Sequence, residues 1–381
     1  MNESAILREI LLTGPVPRNE IAARLGLTRG TVSRIARSLI DAGLVREHEQ
    51  KPGEGPVRPG RPLQHLTLDP RGGQVLGIAI LPIVQIVALS DLERNVIASV
   101  EFSFDPIEDA EGAVRRVALE SRRLIGGHLP DRSRLLGGLV LITADLDATG
   151  SIRQSAYLGW EGFPLRARLS EQLNVPIRVG VATPAIGRVE TLFGAARGRR
   201  NPLALLCGAG IGAAVLANGR IAGDTSGPTI AIGRMPVTGA DGEVALLEEV
   251  AGGVGIVRAL DGDSMADRPP WRVELALRDA VERDRGGDPR VAAVMARAGR
   301  ELGRHVALHS HFVTPDVVVM AGGLAMAPSY MDAFRQALGE NRRRPIEVVV
   351  SRATAGEGGA WVCCSLAVYE YLVERPLALL P

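Results

Sequence analysis

Residues 18–45, "RNEIAARLGLTRGTVSRIARSLIDAGLV", leave the backbone few choices. Ile21, Ala22 and Leu25 share one face of a short helix, Gly26-Leu27 interrupts the pattern, and a second apolar stripe of Val32, Ile35, Ala36 and Leu39 begins after Thr28. This is the spacing of a helix-turn-helix. Thr28 is expected to cap the second helix, its hydroxyl accepting one of the amide hydrogens that a first turn leaves without a partner. A further short helix is predicted ahead of it from Ile6, Ile10 and Leu11, broken by "TGPVP". The face opposite the apolar stripe carries Arg29, Gly30, Ser33, Arg34 and Arg37, with Thr31 near the tip. Arginine can read guanine through two parallel hydrogen bonds, and Ser or Thr can hold phosphates or touch base edges, so the composition suits a major groove. A solvated surface helix would show the same charges.

The next segment separates these alternatives. "LVREHEQKPGEGPVRPGRPLQHLTL" reads as strand, Gly/Pro-rich hairpin and strand, which is a wing. Inside it "RPGRP", Arg58 to Pro62, resembles the core of an AT-hook, an extended Arg-Pro segment suited to the narrow minor groove of A·T-rich DNA; a stiff exposed linker is the plainer alternative. Through Leu68 the chain has ten Arg or Lys against seven acids, although its overall net charge is only +1. The DNA-contact candidates are therefore Thr28, Arg29, Thr31, Ser33, Arg34, Arg37, Arg58 and Arg61.

At 381 residues and 46% hydrophobic composition the chain can bury large cores in two or three domains. It has no run of eighteen apolar residues, and Glu3, Arg8 and Glu9 interrupt any signal-like N-terminus, so a cytoplasmic, nucleoid-associated protein is expected. Cys207, Cys363 and Cys364 form neither a disulfide framework nor a C-x-x-C pair. Cys363-Cys364, within "AWVCCSLAVYEY", read as core.

From Arg71 onward β-rich segments alternate with helical ones. "GGQVLGIAILPIVQIVALSDLERNVIASVEF" predicts hairpins, "LLGGLVLITADL" a buried strand, and "GWEGFPLRARLSEQLNVPIRVGV" a turn, a helix and a strand that runs into the helix "TPAIGRVETLFGAARG". "PLALLCGAGIGAAVLANGRIAG" then gives strand, Gly-rich turn and strand, and a helix through Arg304, His305 and His309 leads to "PDVVVMAGGLA". Two lobes of mixed sheet with Gly-rich turns describe an α/β nucleotide-binding layout around a cleft. The expected units are a winged helix-turn-helix over 1–70, a first lobe over 71–182 and a second over 183–381, with the last helix returning to the first lobe.

In this order, "LTRGTVSRIARSLIDAGLV…GRP", "GAGIGAAVLANGRIAG", "IGRMPV" and "VVVMAGGLA" resemble the ROK family of repressors, open reading frames and kinases, over essentially the whole chain. The resemblance implies an actin-like, hexokinase-like body. Its kinases need a phosphate cradle and a carboxylate base, and the departures fall on those parts. Where the family has D-x-G-G-T, this chain has Ala79, Ile80, Leu81 and Pro82. The Glu-Asn-Asp of the sugar site, in which Asn binds sugar and Asp is the base, is replaced by Gly180-Val181-Ala182, whose side chains neither accept a proton nor bond a hydroxyl. E-I-G-H becomes Ala231-Ile232-Gly233-Arg234, and the cysteine-rich zinc loop becomes "TGADGEVALLEE" with no Cys. Trp160, Glu248, Gly208, Gly210, Gly212 and Gly322-Gly323 keep the pattern.

These residues predict a DNA-binding regulator, a repressor of carbohydrate-related genes with a pseudokinase-like body that dimerises and senses an effector. The alternatives are a constitutive repressor without a ligand and an active sugar kinase. No catalytic residue, cofactor or metal is assigned; His305, His309 and His311 offer a helical pair at i,i+4 without an evident further ligand. Trp160, Val181, Ala182, Ala231, Arg234 and Glu248 form the candidate effector pocket. Unpaired hydroxyls would cost an ordinary hexose about 1–3 kcal/mol each there. Arg234 suits a sugar acid or phosphate, or else pairs with Glu248. The expected partner is double-stranded DNA, an inverted repeat with A·T-rich flanks bound by a homodimer or dimer of dimers.

Overall fold

The computed structural model describes residues 2–49, 64–103, 109–155, 157–218, 220–222, 232–238, 242–262, 270–340, 345–354 and 358–374. Helix α1 (Asn2–Thr13) buries Ile6, Leu7, Ile10 and Leu11. Strand β1 (Val16–Pro17) leads to α2 (Arg18–Leu25), which Gly26 ends at φ 64°, a left-handed conformation open to glycine. Thr28 Oγ1 accepts the Thr31 amide at 3.1 Å and so caps α3 (Arg29–Asp41), whose Val32, Ile35, Ala36 and Leu39 are buried as their spacing requires. Strands β2 (Val45–Glu49) and β3 (Gln64–Leu68) pair antiparallel, with β1 on the other edge of β3, and make the wing. Arg58 and Arg61 lie outside the described residues.

Two five-stranded sheets follow. In the first, β4 (Gln74–Ile80), β5 (Gln85–Asp91) and β6 (Val96–Phe102) form an antiparallel meander. After α4 (Ala110–His128), β7 (Leu135–Ile142) joins parallel to β4. A small sheet of β8 (Asp145–Leu146), β9 (Ile152–Ser155) and β10 (Trp160–Phe163) intervenes before α5 (Leu165–Leu173) and β11 (Ile177–Val181), which lies parallel to β7. The stretch "GWEGF", expected as a turn, is thus mostly strand: Gly162, at φ 62°, takes up a kink between paired Glu161 and Phe163 without ending the ladder.

Helix α6 (Ala182–Phe193) leads to the second sheet. There β12 (Pro202–Cys207), β13 (Ile211–Ala217) and β14 (Arg220–Ile221) repeat the antiparallel meander. Next come the hairpin β15 (Pro236–Thr238) and β16 (Val244–Leu246), then α7 (Leu247–Ala251), α8 (Gly253–Asp261), α9 (Pro270–Arg285) and α10 (Pro289–Val313). Strand β17 (Val317–Ala321) joins parallel to β12 and, after α11 (Pro328–Gly339), β18 (Glu347–Val350) joins parallel to β17. The sheet orders β6-β5-β4-β7-β11 and β14-β13-β12-β17-β18 have the same layout.

The helix closing each unit packs on the other unit's sheet. Helix α6 lies on β12 and β13, while α12 (Gly358–Tyr369) lies on β4, β5 and β7, and the two helices touch. A Cβ on Gly187 of α6 would come within 2.9 Å of Ala204 Cβ and Leu216 Cδ1; one on Gly77 of β4 would come within 2.7 Å of Cys364 Sγ. Cys363 and Cys364 are buried, as expected of core residues. A π-helical turn, Glu370–Glu374, continues α12 and receives α1. Ile6, Leu7, Ile10 and Leu11 share one buried cluster with Val368, Tyr371 and Leu372, so the core runs without a break from the winged module into the body. No helix among the described residues is long and apolar enough to cross a membrane.

Candidate nucleic-acid interface and inter-lobe site

Among the described residues of the winged module, four arginines are engaged. Arg18 pairs with Glu47 and Arg24 with Glu9 and Glu20, Arg46 lies 3.2 Å from Glu93, and Arg8 Nε donates to Tyr369 Oη at 3.3 Å. Those of α3 are different. Arg29, Arg34 and Arg37 are exposed, and no carboxylate among the described residues lies within ion-pair distance of them. Ser33 and Thr31 are half-buried beside them. Thr28 is exposed, but its hydroxyl also lies 2.8 Å from that of Thr31, so its bonding capacity goes into holding the helix end. A rigid, capped helix with uncompensated cations on its outer face is complementary to a polyanion.

The turn between β5 and β6 ties this module to the body. Glu93 takes Arg46 of β2 and a 3.4 Å bond from the Thr67 hydroxyl of β3, while the guanidinium of Arg94 lies 4.3 Å from the Phe193 ring centroid at the end of α6. Arg197 donates to the Leu12 carbonyl of α1.

The residues expected to line the pocket do not all converge. Trp160 and Val181 share a buried cluster of the first sheet, and Ala182 is buried where α6 begins. Ala231 lies outside the described residues. The loop at Leu81 is a tight hairpin, with the Leu81 backbone amide on the Val84 carbonyl at 3.2 Å and the Gln85 side-chain Nε2 donating to the Leu81 carbonyl at 2.8 Å. Among the described residues no group of three or more His, Cys, Asp or Glu could hold a metal. The Nδ1 atoms of His305 and His309 face the carbonyls of Glu301 and His305 at 2.8 and 2.7 Å.

What does converge is the turn Gly208–Gly212 between β12 and β13. The Ala209 amide donates to Glu274 Oε2 at 2.7 Å, and the Glu248 carboxylate stands close over Gly210. Burial raises the pKa of both acids; the Ile211 amide and then Arg234 oppose this at Glu248, and the Ala209 amide opposes it at Glu274. Arg234 is exposed and acts on Glu248 through space, with no ion pair between them among the described residues. Tyr157 closes the site from the first lobe. A Cβ on Gly210 would overlap the Tyr157 hydroxyl and come within 2.9 Å of Glu248 Oε2. Leu158 is buried in the first lobe's cluster while its neighbour Tyr157 packs against the second lobe's cluster. Burial raises the tyrosine pKa, Glu248 and Glu274 add to the effect, and Arg234 opposes it. Sequence reasoning missed both Tyr157 and Glu274. The only signal for Tyr157 was a polar aromatic three residues ahead of Trp160; Glu274 gave none.

Residues 130–361 match the ROK family model, and residues 1–53 match the MarR family model. The DNA-binding transcriptional dual regulator NagC of Escherichia coli (strain K12) is 24% identical over 340 residues, covering 86% of this chain and 81% of that protein. A crystal structure of a ROK family transcriptional regulator, a homologue of the E. coli MLC protein, is similar with a TM-score of 0.78 at 21% identity, covering 98% of this chain and 97% of that one. A ROK family glucokinase from Streptomyces griseus, in complex with glucose and AMPPNP, is similar with a TM-score of 0.62 at 18% identity, over 77% of this chain and 99% of the kinase. The fold is therefore a winged helix-turn-helix ahead of an actin-like, hexokinase-like body. With well over half its length inside the family model, the chain belongs to the ROK family.

Proposed function

We propose that the protein is a DNA-binding transcriptional regulator, a repressor of carbohydrate-related genes, and not an enzyme. The observation that carries this reading is the set of cations Arg29, Arg34 and Arg37 on the exposed face of capped α3, which have no ion-pair partner among the described residues. Residues 1–70 bind DNA, and the lobes 71–182 and 183–381 form a catalytically dead body. A homodimer places two copies of α3 in successive major grooves of an inverted repeat, with Arg61 in a flanking A·T-rich minor groove. By the family resemblance catalysis has no base: Ala182 stands where the carboxylate would take the sugar proton, and Val181 where Asn would bind the sugar.

The body acts on DNA binding by changing how the lobes sit. Glu93 and Arg94 belong to one turn and reach the wing and the end of α6, so a change in lobe angle reaches the module through residues already in contact with both. The effector, where there is one, is not an ordinary hexose. A second reading, a repressor without any ligand, is favoured by the way Tyr157 fills the space over Gly210.

The test begins with duplexes selected from genomic DNA. Arg34→Ala or Arg37→Ala should weaken specific binding by about 1–3 kcal/mol if the side chain reads a base. If it contacts phosphate, it should instead lower the salt dependence by about one ion for all sequences. A wild-type protein that binds selected and scrambled duplexes equally sinks the proposal. Thermal-shift screening against sugars, sugar acids and sugar phosphates, with hits retested for DNA release, separates the two readings of the body.

A further inference from the structure

The Gly208–Gly212 turn and the Gly322-Gly323 pair stand at the C-terminal ends of the parallel neighbours β12 and β17. In open α/β sheets this edge is where ligands bind, and successive backbone amides in a tight turn favour an anion. The turn's carbonyls are already used: Gly208 and Ala209 accept from the amides of Gly253 and Val254 at 2.8 and 3.0 Å, and Gly210 accepts from the Gly208 amide at 3.0 Å. Its amide at Ala209 points the other way and meets an anion, the carboxylate of Glu274 from α9. That carboxylate lies 3.1 Å from where a Gly208 Cβ would stand and 3.9 Å from where a Gly323 Cβ would stand, so it occupies the gap between the two glycine crests. Among the described residues the Ala209 amide is its one hydrogen-bond partner, and no cation lies within ion-pair distance of it. A carboxylate desolvated with so little compensation is costly to keep as mere packing.

We propose that Glu274 is a built-in occupant of this cradle, standing where a phosphate would bind and closing the second lobe to nucleotides and other phosphate-bearing ligands. Its exclusion is both steric and electrostatic. A phosphate oxygen aimed at the Ala209 amide would take the place of Oε2, and one bound beside it would face a like charge. Glu248 stands over the same turn, its Oε2 2.9 Å from where a Gly210 Cβ would stand, so the cradle presents two acids to an incoming anion. This assignment is independent of what the winged module binds.

The test uses the full-length protein and inorganic pyrophosphate, followed by isothermal titration calorimetry near neutral pH. The wild type should give no measurable heat. Glu274→Ala should bind at least about tenfold more tightly than the wild type, a gap of 1.4 kcal/mol. Glu274→Gln, which keeps the size and the acceptor but loses the charge, should fall between them. Circular dichroism melts establish that each variant is folded; if Glu274→Ala is not, the comparison of Glu274→Gln with the wild type decides. A folded variant that gains no affinity overturns the proposal. So does a wild type that binds pyrophosphate as well as the variants do. A purely packing role for Glu274 would lower the melting temperature without creating an anion site.

Discussion

Glu274 and Glu248 are two acids beside one Gly-rich turn, both carrying a pKa raised by burial. Burial raises the pKa of Glu274 above its ordinary value of 4.5. An acid with a raised pKa in the folded state costs no stability below its unfolded pKa, where both states are protonated. The cost grows as the pH climbs from there toward the folded pKa, and is constant above it. Glu274→Gln should therefore melt at the wild-type temperature in acid and above it once the pH passes about 4.5. Glu248 is present in both proteins and largely drops out of the comparison. Thermal melts of the pair across pH check this, and an advantage confined to the acid side would contradict it. At the same scale, the buried thiols of Cys207 and Cys364 are pushed up to about 12 and that of Cys363 is raised well above its ordinary value, by burial first in each case. All three should resist alkylation until the protein unfolds, which mass spectrometry with and without denaturant would read.

Among the elements, α6 sets two effects against each other at Gly187. Replacing a glycine inside a helix with alanine favours the helix by about 1 kcal/mol. Here the new methyl would come within 2.9 Å of Ala204 and Leu216, an overpacking cost of about 1–3 kcal/mol. Packing should win: Gly187→Ala is expected to lower the denaturant midpoint, and a stabilised variant would show that the interface can yield. Elements of this kind differ in how far their sequences announce them. The helix-turn-helix was legible because its determinants are local: Gly26 in the left-handed region, Thr28 bonded three residues ahead, and an apolar stripe with one period. Strand β10 was not, since Gly159 and Gly162 look alike as turn residues, and only the ladder with β9 carries strand through Gly162 while Gly159 stays in the turn. The inter-lobe site was legible only by subtraction. That Val181-Ala182 carries no carboxylate can be read in one place, whereas Tyr157 over Gly210 and Glu274 on Ala209 are contacts across 53 and 65 residues that no periodicity marks.

For the molecule as a whole, the exchange of α6 and α12 between the two sheets decides what counts as a unit. The second sheet is covered by α6, which precedes it in the chain, and the first by α12 from the far end, so neither sheet's core is complete without a helix from beyond its own strands. The sequence boundaries that separate the lobes are therefore poor places to cut. A gene divided in the loop between α6 and β12 should yield two pieces that are insoluble when made alone and recover DNA binding when made together. Independent folding of either piece would contradict the exchange. Inheritance feels the same arrangement: a lesion in the closing helix is expressed as the failure of a sheet encoded near the start of the gene, and its suppressors should arise there.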